Sequence, residues 1–240
     1  MNARLKFSLI TAVTLLAVLI TLALGRWQLS RAAQKEALQS SAEAGSALPR
    51  LSAQALAART DLMQQLQRGV TLRGRWLTQH TVLLDNRQMN KRQGLIVVTP
   101  MQLEGSKFAV LVQRGWVARN FMDRTLVPKI ETPVGSVEIE GRIAAPPSKL
   151  YEFDAHEAGL IRQNLDMDRF ASESGLHLLD VSVQQSGAAP DGLLREWPQA
   201  GNGVEKNYGY AFQWFALSAL LVILYGWFQI VRRFIIPRRT

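Results

Sequence analysis

The side chains able to do acid–base, metal or nucleophilic chemistry are few in this chain, and they are scattered. Its three histidines, His80, His156 and His177, lie far apart. His156-Glu157 opens like the H-E-x-x-H of a zinc peptidase, but residue 160 is Leu where the second imidazole is required. Asp166-Met167-Asp168 lacks the remaining oxygen ligands of a calcium loop. Neither a G-x-S-x-G elbow nor a P-loop occurs. Cysteine is absent, which excludes disulfides, thiolate catalysis and cysteine-held metal. The sequence therefore predicts no metal site and no enzyme. A dispersed hydrolase-like site assembled only in three dimensions is the rival reading.

Two constellations carry binding chemistry instead. Leu24-Gly25-Arg26-Trp27-Gln28-Leu29-Ser30-Arg31, with Lys35 following, puts a tryptophan and cations where an apolar run ends. Trp favours the headgroup level of a bilayer, and Arg can snorkel toward phosphate. Asn207-Tyr208-Gly209-Tyr210-Ala211-Phe212-Gln213-Trp214 stands at the start of a second apolar run. Residues 207, 210 and 214 are spaced i, i+3, i+7 and so share one helix face. The indole N–H of Trp214 and the amide of Gln213 call for protein or ligand partners at that depth.

Two uncharged runs must position these groups, Phe7–Leu24 and Tyr208–Val231. At ~1.5 Å per residue they extend about 27 and 36 Å, enough to cross a ~30 Å hydrocarbon layer. A cleaved signal peptide and a buried core helix are the competing readings. The first run is long for a signal h-region, and the second carries aromatic residues at both ends. The expected organisation is a cytoplasmic N-terminus over 1–6 and a transmembrane helix over 7–25. An extracytoplasmic β-rich domain follows over 26–206, then a second transmembrane helix over 207–231 and a basic cytoplasmic tail over 232–240.

Charge supports that order. The chain carries a net charge of +9 and a pI near 10.3. Arg4, Lys6, Arg232, Arg233, Arg238 and Arg239 flank the runs on their terminal sides, and all 19 acidic residues lie between the runs. The segment between is thus only mildly basic, which argues against nucleic acid as a partner. The flanking cations predict both termini in the cytoplasm and the main domain in the periplasm. No Arg- and Ser-rich leader precedes the first run, so a bacterial inner membrane is the expected location.

Between the runs, Gln28–Ala44 reads as a continuation of the first helix, broken over Gly45–Pro49. Ser52 is set to cap a helix through Gln67. Strands are expected at Val70–Trp76, Val82–Leu84, Leu95–Thr99, Phe108–Trp116, Val137–Ile143 and Leu178–Gln184. Pro100 closes the third, Glu104-Gly105-Ser106 makes a hairpin turn, and a short helix runs over Asp166–Ser174. Loops are expected at Ser186–Gly192 and Gln199–Gly203. The fold class is an α+β membrane protein in which two terminal transmembrane helices flank a mainly antiparallel, barrel-like β domain with short helices.

In order along the chain, these segments resemble the Surfeit locus protein 1 (Shy) family of cytochrome c oxidase assembly factors. L-G-x-W-Q-x-x-R-x-x-x-K matches Leu24, Gly25, Trp27, Gln28, Arg31 and Lys35. Gly74-Arg75-Trp76 matches a Gly-x-aromatic strand, and Gly94–Pro100 matches G-x-x-V-V-T-P. Leu111–Val117, containing Arg114, Gly115 and Trp116, resembles L-V-N-R-G-W-V with Gln113 for Asn. Val137–Ile143 resembles a further family strand, and Tyr210, Ala211 and Trp214 match Y-A-x-x-W.

The resemblance implies a non-enzymatic assembly or maturation factor for haem–copper cytochrome c oxidase. It implies oxidase subunit I and other assembly factors as partners, alongside membrane lipid. Some bacterial members are thought to bind haem a, with a histidine three residues before the Tyr as candidate axial ligand and the Trp in contact. Here Asn207 stands at the histidine position, and Asn is a poor iron ligand beside imidazole. Transient contact with haem a or a partner through Trp214, Tyr210 and Asn207 is the resulting expectation, with Tyr208 or Tyr210 as alternative iron ligands. The rival function is a membrane-tethered periplasmic scaffold for another envelope complex.

Overall fold

The structure is a computed structural model and describes residues 3–120, 122, 130–151, 159–187, 191–199 and 201–235. The chain divides into two compact units, residues 1–40 with 199–240, and residues 41–198. In order, the elements are α1 (Ala3–Ala47), β1 (Leu51–Ser52), α2 (Ala53–Ala57), β2 (Gly69–Trp76), β3 (Val82–Met89) and β4 (Arg92–Leu103). Then follow β5 (Phe108–Ala118), β6 (Ser136–Ala144), β7 (Ile161–Arg162), α3 (Met167–Ser174), β8 (His177–Gln185) and α4 (Val204–Tyr225). A π-helix over Gly226–Ile235 continues α4.

The first unit is a helix pair. Both helices are long and apolar enough to cross a membrane. Covered positions on α1 recur at 11, 14, 18, 21, 25, 28, 32 and 35, and on α4 at 204, 207, 211, 214, 218, 221 and 225. Alternating steps of three and four are the 3.5-residue period of a left-handed helix pair. Thr11 meets Tyr225 by a hydroxyl hydrogen bond of 2.8 Å, and Gly25 lies against Phe215. The helices are therefore antiparallel. Their covered positions are largely small or polar (Thr11, Thr14, Thr21, Gly25, Gln28, Ala32, Ala211, Ser218), the composition that lets helices approach closely in an apolar solvent. Thr21 returns its hydroxyl to the carbonyls of Ala17 and Val18, each at 3.0 Å, so it adds no unsatisfied donor to the run.

The second unit is a closed sheet. Strand order is β1-β2-β6-β8-β5-β4-β3-β7, and β2 also pairs with β4. The ring β2-β6-β8-β5-β4 closes on itself, which removes the open edges a flat sheet would expose. Most pairings are antiparallel, but β5/β8, β1/β2 and β3/β7 are parallel. Val70, Leu72, Met101, Val110, Val112, Ile143, Val181 and Val183 fill the interior, each fully buried. Phe170 of α3 covers the outer side with Val82, Leu84, Val98, Leu111 and Leu165. Asp166 caps α3, its carboxylate accepting from Arg169 N at 3.2 Å, and Gly175 ends it in the left-handed conformation.

Three expectations need correction. The helix from Ser52 is short, although Ser52 does cap it, accepting from Ala55 N at 3.2 Å. It stops at Ala57, and a 3₁₀ turn follows at Leu62–Gln65. Leu56 and Leu62 both enter the barrel core, and six positions on a continuous helix would place them about 120° apart around its axis. Breaking the helix lets both plug the barrel.

Strand β4 does not end at Pro100 but runs to Leu103, because Pro100 sits where β4 exchanges partners. Val98 pairs with Val82 of β3, and Met101 pairs with Trp76 of β2. Within a strand, a residue's N and C=O point to the same side. The Pro100 carbonyl accepts from Leu77 N on the side away from β5, so its missing N–H breaks no bond of the β4/β5 ladder. Finally, Asp85-Asn86 is a bulge within a longer β3. The reversal comes at Asn90-Lys91, both with positive φ (50° and 62°), as a tight hairpin turn needs. His156 and Arg238–Arg239 lie outside the described residues, as do parts of the two expected loops.

Candidate functional site

In the helix pair, Gln28, Lys35 and Asn207 form one hydrogen-bonded chain. The Lys35 ammonium donates to Asn207 Oδ1 at 2.7 Å and to the Gly203 carbonyl at 3.2 Å. Asn207 Nδ2 donates to Gln28 Oε1 at 2.7 Å. An ammonium only donates, so Lys35 fixes the Asn207 carbonyl oxygen toward itself and the NH₂ toward Gln28. Both ends of the Asn207 amide are thereby engaged. The next residue, Tyr208, donates to Glu36 at 2.8 Å. The chain ties α1 to the first turn of α4 and to Gly203, the cap of α4.

Of the other residues expected at this site, Trp214 is partly covered, while Tyr210 is 53% exposed. The structure thus brings Asn207 to α1 and leaves Tyr210 at the flank. Trp27 is exposed, and Arg31 donates within its own helix, to Gln34 at 3.0 Å. Gly25 has a packing reason to be glycine, since a Cβ there would lie 2.8 Å from the Phe215 ring. No histidine stands on either helix among the described residues. His80 lies in a 3₁₀ turn and His177 opens β8.

In the barrel, Arg114-Gly115-Trp116 of β5 divides into a cation and its support. Trp116 is buried, its indole donates to the Arg87 carbonyl at 2.9 Å, and its backbone pairs both ways with Leu194. Its ring lies over Gly94, where a Cβ would stand 2.4 Å from it. A Cβ on Gly115 would meet Leu193 at 2.6 Å. Both family glycines thus make room for chain or ring crossing β5. Arg114 emerges beyond them, buried, its guanidinium 4.9 Å from the Trp76 ring centre. It donates to Thr132 Oγ1 at 2.6 Å, the Glu131 carbonyl at 3.0 Å and Asp191 at 3.3 Å. Asp191 also accepts from Arg195 at 2.8 Å, and Arg195 Nε donates to the Arg114 carbonyl at 2.7 Å. Burial lowers the pKa of Arg114, and the nearby Asp191 opposes that shift. A cavity of about 680 Å³ opens beside this cluster.

Sequence reasoning picked out Arg114 but missed Asp191 and Arg195. They lie 77 and 81 residues further on, with no local pattern linking them to it. Phe215 was missed as well, though its four-residue spacing from Ala211 placed it on the same helix face.

Among the described residues no group of three or more His, Asp or Glu could hold a metal ion. Comparison with curated proteins returns no match. A family model described as the SURF1 family matches residues 15–219, spanning the helix pair and the barrel. That family is linked to cytochrome oxidase assembly, and the order of paired apolar helix, barrel strands, R-G-W segment and second apolar helix agrees with it: the chain belongs to the SURF1 family.

Proposed function

We propose that this protein is a membrane-anchored maturation factor for haem–copper cytochrome c oxidase, acting on subunit I together with other assembly factors. The observation that carries the reading is the family match across both helices and the barrel. On this reading α1 and α4 cross a bacterial inner membrane over about 7–25 and 207–231. The barrel segment 26–206 works in the periplasm, and the basic flanks stay in the cytoplasm. The antiparallel pairing of the helices supports this, since Thr11 of α1 and Tyr225 of α4 meet toward the outer ends of the two apolar runs. The role is non-enzymatic: a scaffold that holds an apolar surface beside a maturing subunit.

Haem a is the proposed cargo. The residues present do not suit axial ligation at position 207, because both ends of the Asn207 amide are committed to Lys35 and Gln28. Any haem contact would fall to the ring of Trp214 and the half-exposed Tyr210, by stacking and apolar contact. Deleting the gene and measuring haem a and assembled subunit I in membranes tests the proposal. Loss of both, restored by the intact chain, supports it, and normal oxidase in the deletion strain overturns it.

A further inference from the structure

We propose that the face of α1 at residues 26–31 is a binding site for an anionic phospholipid, held by its phosphodiester. Arg26 with Ser30 and Trp27 with Arg31 are adjacent i,i+4 pairs, so the four side chains form one surface patch. All four are exposed, Trp27 at 56%. At about 100° per residue, the patch is centred about 150° around α1 from Gly25, Gln28, Ala32 and Lys35, which are turned to α4.

The patch carries positive charge with no acid among its neighbours. Arg26 is flanked on the helix surface by Leu22, Ala23, Leu29 and Ser30, and Arg31 by Trp27, Gln28, Gln34 and Lys35. Arg31 donates to Gln34, a neutral acceptor, and the rest of its fork remains for a ligand. The first acid along α1 is Glu36, which accepts from Tyr208 of α4. Glu205, in the first turn of α4, lies about 160° around that helix from Asn207.

Position sets the rest of the ligand. Arg26 closely follows the uncharged run Phe7–Leu24, and Arg31 stands about 7.5 Å further along the axis. A headgroup layer is about 5–8 Å deep, so both guanidiniums reach phosphate with Trp27 at the same level. Beneath Arg26, the exposed Leu22, Leu19 and Leu15 continue the same face and offer a track to acyl chains. Two forks without a counter-ion favour phosphatidylglycerol, whose phosphate is its only charge, over phosphatidylcholine, whose ammonium offsets the phosphate. A phosphate ester in water has the same oxygens but no chain to lie on that track. The proposal rests on α1 crossing a bilayer and is independent of the oxidase role.

The test uses the full chain in bilayers of phosphatidylcholine and phosphatidylglycerol at four to one. The chain has no cysteine, so Ala33→Cys, at an exposed site beside the patch, takes a single nitroxide. Phosphorus NMR then reads how strongly the label broadens each lipid's signal. Phosphatidylglycerol is broadened at least threefold more per molecule than phosphatidylcholine. Arg26→Gln with Arg31→Gln abolishes that preference, whereas Arg4→Gln with Lys6→Gln, at the opposite end of the run, leaves it intact. Equal broadening of the two lipids overturns the proposal, as does a preference that survives the Arg26 and Arg31 changes or is lost with those at Arg4 and Lys6. Glycerol 3-phosphate broadened as strongly in pure phosphatidylcholine bilayers would make the ligand a soluble ester and also overturn it. A chain that enters no bilayer would remove the spanning reading as well, whereas insertion without lipid preference removes this proposal alone.

Discussion

The ammonium of Lys35 lies 2.7 Å from the side-chain oxygen of Asn207, and that bond decides which way the Asn207 amide faces. Because Lys35 can only donate, Asn207 must present its NH₂ to Gln28, and the two helices are joined by a directed chain rather than by apolar contact alone. Asn207→Leu removes both links, takes the Asn207 donor from Gln28 and leaves Lys35 its bond to the Gly203 carbonyl. It is expected to destabilise the helix pair by about 1–3 kcal/mol. Asn207→His, which keeps one donor and one acceptor, should lose less. Thermal unfolding in detergent checks this, and equal midpoints for wild type and Asn207→Leu would contradict it.

Gly94 and Trp116 give a second prediction. The indole and the Val117 carbonyl oxygen, 2.4 and 2.3 Å away, share the space a Cβ at position 94 would need, and the ring cannot withdraw easily, since the indole N–H is bonded to Arg87. Gly94→Ala should cost about 3 kcal/mol, the upper end of ordinary overpacking. Combined with Trp116→Leu the two changes should be less than additive by at least about 1 kcal/mol. A urea unfolding series on the four proteins of that cycle measures the coupling, and simple additivity would show that the Val117 carbonyl, not the ring, excludes the side chain.

Arg114→Lys is not a conservative change here. A lysine keeps the charge but cannot reach Thr132, the Glu131 carbonyl and Asp191 from a flat fork stacked on Trp76. Breaking a buried charge network costs about 3–5 kcal/mol when a partner is removed outright. Keeping the charge should reduce that loss to about 2 kcal/mol of barrel stability, measured by denaturant unfolding. A variant as stable as wild type would mean the fork geometry is dispensable.

Much of this architecture could be read from residue order, and the failures have physical causes. Apolar runs, the Asp166 cap, the Gly105 turn and most strand segments depend on neighbours within a few residues, so local chemistry determines them. Closure of the barrel depends on β4 leaving β3 for β2 at Pro100, a feature that in isolation reads as a strand end. The short α2 depends on two leucines needing the same interior. The Arg114 cluster depends on Asp191 and Arg195, brought close only by the fold. Asn207 was visible as a departure from the family pattern, but its bonds to Gln28 and Lys35 appear only when the helices meet.

Acid should weaken the barrel gradually. Asp61 is held below the usual carboxylate range chiefly by its hydrogen bond from Arg59, Asp166 by that from Lys149, and Glu173 by those from Arg169 and Arg162. Carboxyls whose folded pKa is depressed contribute stability that is present above their unfolded pKa of about 4. It is lost as pH falls through the lower folded values. Stability should thus stay level from about pH 8 to 5 and fall below about pH 4. The fall should be shallower in high salt, because these groups are at the surface. A stability that rises on acidification from pH 5 to 3 would contradict the assignment.

The central claim is that this chain serves the maturation of a haem–copper oxidase. Its most direct measurement is the reduced-minus-oxidised haem a spectrum of membranes from a deletion strain, taken with and without the intact gene restored. The account predicts loss of the haem a signal with subunit I left immature, and recovery on complementation. An unchanged haem a spectrum with fully active oxidase in the deletion strain would contradict it.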